Sequence, residues 1–119
     1  MKTDDELNAL FAEHVAGWKR DEHGTWINDE GDSYDIEGWR ISPRFTTDAN
    51  AVLPWLEKWA DETVNLRDVR IYRRLAGDWD VVLRTRKAQW DDWTEPFAEA
   101  DTFPRAAVIT LLRAKGVEV

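Results

Sequence analysis

The strongest constraint in this chain is a pair of alternating runs around a tight turn. Val69 to Leu75 and Trp79 to Arg86 both alternate apolar and polar residues, with Ala76-Gly77-Asp78 between them. A period of two belongs to strands, and a short glycine-bearing break between two such runs belongs to a hairpin loop. Such a hairpin has two chemically different faces. Val69, Ile71, Trp79, Val81 and Leu83 lie on one, which must find a core. Arg70, Tyr72, Arg74, Arg84 and Arg86 lie on the other, with Val82 among them.

Helical patterns flank this hairpin. Thr3 to Glu6 spells a capping box, and Leu7, Leu10, Phe11, His14 and Val15 follow at helical spacing up to Gly17. A helix over residues 4–16 is predicted, with His14 partly buried. Thr46-Thr47-Asp48 offers caps for a second helix, whose stripe is Val52, Trp55, Leu56 and Trp59 and whose end falls near Asp61 or Glu62. Pro54 belongs in the first turn of such a helix or kinks it. A third strand is expected over Glu95 to Asp101. Thr102 and Pro104 then open a last helix that carries Val108, Leu111 and Leu112 and closes at Gly116. Between the first two helices, residues 18–20 and 25–27 suit a short hairpin. Asn28 to Glu37 reads as an acidic loop, and residues 39–45 as extended. The order helix, strand, strand, strand, helix from residue 47 onward predicts an α+β fold with an antiparallel sheet of three or more strands, one domain over residues 1–119.

Composition narrows the function. The chain has no cysteine, which excludes disulfide scaffolds, thiolate metal sites and thiol chemistry. Its longest apolar run is far short of a membrane span and no signal peptide opens it, so a soluble, intracellular domain without membrane association is expected. The net charge of −8 is unevenly placed. Residues 1–38 carry all of it, residues 67–87 are net +4, and residues 91–101 hold 5 acids and no base. A duplex-DNA binder would usually be basic overall. An acidic surface suits a partner with a basic face.

Three pieces of the sequence together resemble the phage ABA sandwich domain family of small phage and prophage proteins. They are Asp5-Glu6-Leu7-Asn8-Ala9-Leu10 running into Gly17-Trp18, Phe45-Thr46-Thr47-Asp48 before the helix with Trp55, and Thr102-Phe103-Pro104-Arg105-Ala106 ending in Gly116-Val117-Glu118-Val119. The resemblance spans nearly the whole chain. Pro54 and the long acidic loop depart from the family's pattern. The resemblance implies an α-β-α sandwich, with helices packed on both faces of the sheet, and a place in the cytoplasm of a bacterial host. It brings no catalytic residues. The element order is also that of double-stranded RNA-binding domains. Those place lysines where this chain has Pro104-Arg105-Ala106-Ala107 after an acidic strand, so direct duplex binding is not expected.

The chemistry favours binding over catalysis. Neither His14 nor His23 has a nucleophile pattern around it, nor have Ser33 and Ser42, and there is no phosphate-cradling glycine loop. Asp29 to Glu37 lacks the ligand order of a calcium loop. Asp78 and Asp80 flank Trp79 and suit solvation better than a metal. No catalytic group, metal or cofactor is therefore expected. Of the 8 tryptophans, Trp55, Trp59 and Trp79 suit the core, and Trp18 and Trp26 suit stacking near the first hairpin. Trp39, Trp90 and Trp93 lie in polar segments, where they either stay exposed and anchor partners or flat ligands or fold back as lids on the core.

Two binding functions follow. In one, Arg70, Tyr72, Arg74, Arg84, Arg86, Trp39, Trp90 and Trp93 hold a nucleotide-type immune signal, arginine on phosphate and aromatic on base, as a phage counter-defence protein would. A site of this kind between protomers would make the protein a homo-oligomer. In the other, the arginines are neutralised by the acidic N-terminal segment or solvated. The acidic front and exposed tryptophans then cover a basic host protein. A structural phage protein with no separate activity is the remaining reading.

Overall fold

The computed structural model describes residues 2–22, 25–28, 35–36, 39–40, 44–62 and 65–119. Its order is α1 (Asp4–His14), β1 (Lys19–Arg20), β2 (Trp26–Ile27), β3 (Asp35–Ile36), β4 (Trp39–Arg40), α2 (Ala49–Ala60), β5 (Leu66–Arg73), β6 (Trp79–Arg86), β7 (Phe97–Ala100) and α3 (Phe103–Ala114). The class is α+β, with an antiparallel sheet in the order β5-β6-β7.

The helix ends form where local chemistry puts them. Thr3 accepts a bond from Glu6 N–H while Glu6 answers the Thr3 backbone, which closes the capping box. Past the other end of α1, Gly17 sits at φ +72° and Trp18 N–H reaches Ala12 C=O, so the last carbonyls find donors. Asp48 caps α2 and Thr102 caps α3. Gly116, at φ +81°, closes α3. α2 runs through Pro54, which is exposed, while Val52 and Leu56 on its other face are buried. His14 is exposed rather than partly buried, because the buried stripe of α1 is Leu7, Asn8, Phe11 and Ala12.

The main hairpin turns one residue earlier than its sequence suggests. Arg74 N–H donates to Asp78 C=O, so Leu75, Ala76 and Gly77 form the loop, with Gly77 at φ +95° as a three-residue hairpin requires. Two small ladders precede α2. Lys19 and Arg20 pair with Ile27 and Trp26 as expected. Asp35 and Ile36 pair with Arg40 and Trp39, a short ladder at the end of the segment read as loop. Phe45 lies in a turn, not in an extended run.

α3 packs on β6 and β7, α2 packs on β5 and on α3, and α1 packs on α3. The core gathers Phe11, Val52, Leu56, Val81, Leu83, Val108, Leu111 and Leu112. Thr110, fully buried, donates to Val81 C=O and ties α3 to the sheet. All three helices therefore build up on the face of Val81 and Leu83. Among the described residues no helix covers the opposite face, and the expected second helical layer is not found there. That face carries paired charges, which a helix would strip of water at several kcal/mol per ion.

Candidate binding face

The open side of the sheet is built from alternate residues of three strands. Register sets Asp68 opposite Arg84, Arg70 opposite Val82 and Tyr72 opposite Asp80 across β5 and β6. It sets Val82 opposite Phe97 and Asp80 opposite Glu99 across β6 and β7. Three of the four arginines on this face are engaged by carboxylates. Arg84 donates to Glu95 at 2.8 Å and to Asp68 at 3.3 Å, and its side chain is only 13% exposed. Arg74 donates to Asp80 at 2.8 Å and lies 3.4 Å from Glu99. The Asp80 bond and charge, with Glu99 adding to them, hold the Arg74 guanidinium above its ordinary range, so it stays charged at every accessible pH. Arg70 lies 3.7 Å from Asp68.

These carboxylates come from the sheet strands and, for Glu95, from the approach to β7, not from the acidic N-terminal segment. The signal was present in the sequence. Asp68 and Asp80 share the parity of the arginines, and a turn centred on Ala76 pairs residues 68 with 84 and 74 with 78. Reading the turn one residue late hides those pairs. Substituting Arg84 by Ala should cost about 1 kcal/mol, because both of its carboxylate partners are substantially exposed. A urea titration that finds no change would separate the ion pairs from stability altogether.

Two groups of side chains remain available on this side. The first is apolar. Tyr72 is 49% and Phe97 59% exposed, with half-buried Val82 beside them and the ion pairs around them. Phe97 lies at the start of the third strand and escaped the sequence reading, which weighed tryptophans and the main hairpin only. The second lies at the far end of β6. The Arg84 and Arg86 guanidinium carbons each sit 4.1 Å from the Trp93 ring centroid. Arg86 shows no carboxylate partner among the described residues, and its Nε is buried without a hydrogen bond. It borders a hollow of about 420 Å³ with Lys87, Asp91, Asp92 and Thr94. Trp90, in the same loop, is 86% exposed.

The eight proposed site residues thus divide. Arg84, Arg86 and Trp93 are brought together, and Arg70 and Tyr72 share the sheet face. Arg74 lies on that face at the loop end, with Asp80 and Glu99. Trp90 lies in the loop after β6. Trp39 has its backbone in β4, and its side chain lies outside the described residues, as do His23, Ser33 and Ser42. Among the described residues there is no group of three or more histidines and carboxylates that could hold a metal, and no helix is long and apolar enough to cross a membrane. A larger groove of about 730 Å³ runs between the starts of α1 and α3. Its two arginines are engaged in structure: Arg105 bonds Asp4 and the Lys2 carbonyl, and Arg113 bonds the Phe97 and Val119 carbonyls.

Comparison with protein-family models, curated proteins and solved structures found no match.

Proposed function

We propose that this protein acts by binding another protein through the open side of its sheet, with Tyr72, Val82 and Phe97 as the apolar anchor and the ion pairs as a polar rim. The observation that carries this reading is the state of the arginines. A phosphate-binding strip needs guanidinium groups with open donors, whereas Arg74 and Arg84 are held by Asp80, Glu99, Asp68 and Glu95. Arranged this way, the face is close to neutral and centred on exposed rings, which suits the core-and-rim build of protein interfaces. The surplus negative charge lies elsewhere, including Asp4, Asp5 and Glu6 on the first turn of α1. It would steer a basic partner toward the molecule. In the phage or prophage setting that the sequence resemblance implies, such a partner is a basic host protein.

A second reading rests on Arg86. With Lys87 it lines a hollow, beside Asp91 and Asp92, where a small flat anion could meet a guanidinium that has no carboxylate partner among the described residues. Native mass spectrometry with cyclic nucleotides and ADP-ribose derivatives tells the two apart. The first reading expects no stoichiometric adduct. It also expects a basic protein captured from host lysate by the wild type, with capture weakened about tenfold or more by Tyr72→Ser/Phe97→Ser. A nucleotide adduct lost in Arg86→Ala would replace it with the second reading. Capture indifferent to the double substitution would remove this face from the function.

A further inference from the structure

The open edge of β5 carries a self-complementary pattern. Leu83 N–H donates to Pro96 C=O, and Thr85 exchanges two bonds with Thr94, so these β6 residues turn their backbone toward the β7 side. Their partners across the other ladder are Val69 and Arg67. In an antiparallel pair the backbone groups alternate, so Arg67, Val69, Ile71 and Arg73 aim theirs away from β6. β5 is the end strand of its sheet, and no described residue pairs with it on that side. Leu66, Ile71 and Tyr72 are exposed along it, and Leu53 of α2 is exposed next to Ile71. A long strand edge left open is a template for another strand.

We propose that this edge pairs with the same edge of a second copy, joining two sheets into one of twice the width. Two-fold antiparallel pairing keeps side chains on their own faces only if odd residues meet odd and even meet even. Two such registers use nearly the whole strand. Centring on Arg70 sets that residue against its own copy and Arg67 against Arg73, which repels. Centring on Val69 sets Asp68 against the second copy's Arg70, twice by symmetry, with no like charges opposed. In that register Leu66 meets the second copy's Tyr72, and Arg67 meets its Ile71. The Asp68–Arg70 positions are the non-hydrogen-bonded pairs, where side chains come closest. A uniformly acidic strand from another protein would instead set a carboxylate beside Asp68. This dimer joins the sheets edge to edge and leaves the open face accessible. Tyr72 borders both surfaces, whereas Ile71 lies on the other face and belongs only to the edge, which keeps this test separate from the partner reading above.

Sedimentation equilibrium on the full chain over about a hundredfold range of concentration tests it. The wild type is expected to reach dimer mass. Ile71→Pro removes an edge-facing N–H and leaves the β5–β6 ladder intact, so it should be monomeric with a wild-type far-UV spectrum. Arg70→Asp opposes two carboxylates and should weaken the dimer about tenfold or more, with Asp68→Arg/Arg70→Asp restoring it. If Ile71→Pro does not fold, the charge pair alone decides. A monomeric wild type overturns the proposal, including one that takes up an extended acidic peptide at this edge. So does a dimer that neither Ile71→Pro nor Arg70→Asp weakens.

Discussion

Phe11→Ala should destabilise the protein by about 3–5 kcal/mol, the range for removing a large buried ring without collapse of the site. Phe11 is fully buried on α1. Its ring centroid lies 4.4 Å from that of Phe45 and 6.4 Å from that of Trp55, the latter edge-on. One side chain thus joins the first helix, the turn before α2 and α2 itself. Small domains are stable by only about 5–15 kcal/mol, so the loss is a large share of the total. In urea titrations the midpoint should fall while the slope stays constant. Tyr72→Ala, on the open face, should change stability by less than about 0.5 kcal/mol. A Phe11→Ala loss below about 1 kcal/mol would mean that α1 is not integral to the core.

Asn8→Ala should cost about 2 kcal/mol although it removes no large apolar group. Thr46 N–H donates to Asn8 Oδ1 at 2.9 Å, and both residues are buried. Among the described residues the Thr46 hydroxyl has no hydrogen-bond partner of its own. Deleting the amide leaves a buried backbone donor unpaired, and the desolvation cost of that donor exceeds the net worth of the bond. The pair links α1 to the turn over Phe45–Thr47, so loss should also speed amide exchange in that turn. Exchange rates and stability both at wild-type levels would show that water replaces the amide at no cost.

These two residues mark where sequence reading succeeded and where it did not. Phe11 stands on a helical stripe and reads as core from spacing alone. Asn8 stands between Leu7 and Ala9, off the stripe that spacing picks out, and nothing within one helical turn signals a partner 38 positions away. The same divide runs through the candidate site. Alternation put Arg70, Tyr72, Arg74, Arg84 and Arg86 on one face correctly. Their partners hang on the register at the Gly77 turn; among the described residues they are Asp68, Asp80, Glu95 and Glu99, rather than the acidic N-terminal segment or solvent. Trp93 reads from sequence equally as an exposed anchor or as a lid on the core, and in the structure two guanidinium groups lie over it.

By itself the sequence determined the α+β class, the order of the principal helices and strands, their caps and stops, and the two-faced hairpin at the centre. Those signals act within a few residues: a threonine on the backbone ahead of it, a glycine at positive φ, a strand that alternates at every step. Only the tertiary structure decided which side of the sheet the helices cover, which carboxylates hold the arginines, and that Asn8 is buried. Those outcomes weigh apolar burial against the desolvation of charges, and that balance is struck between elements far apart in the chain.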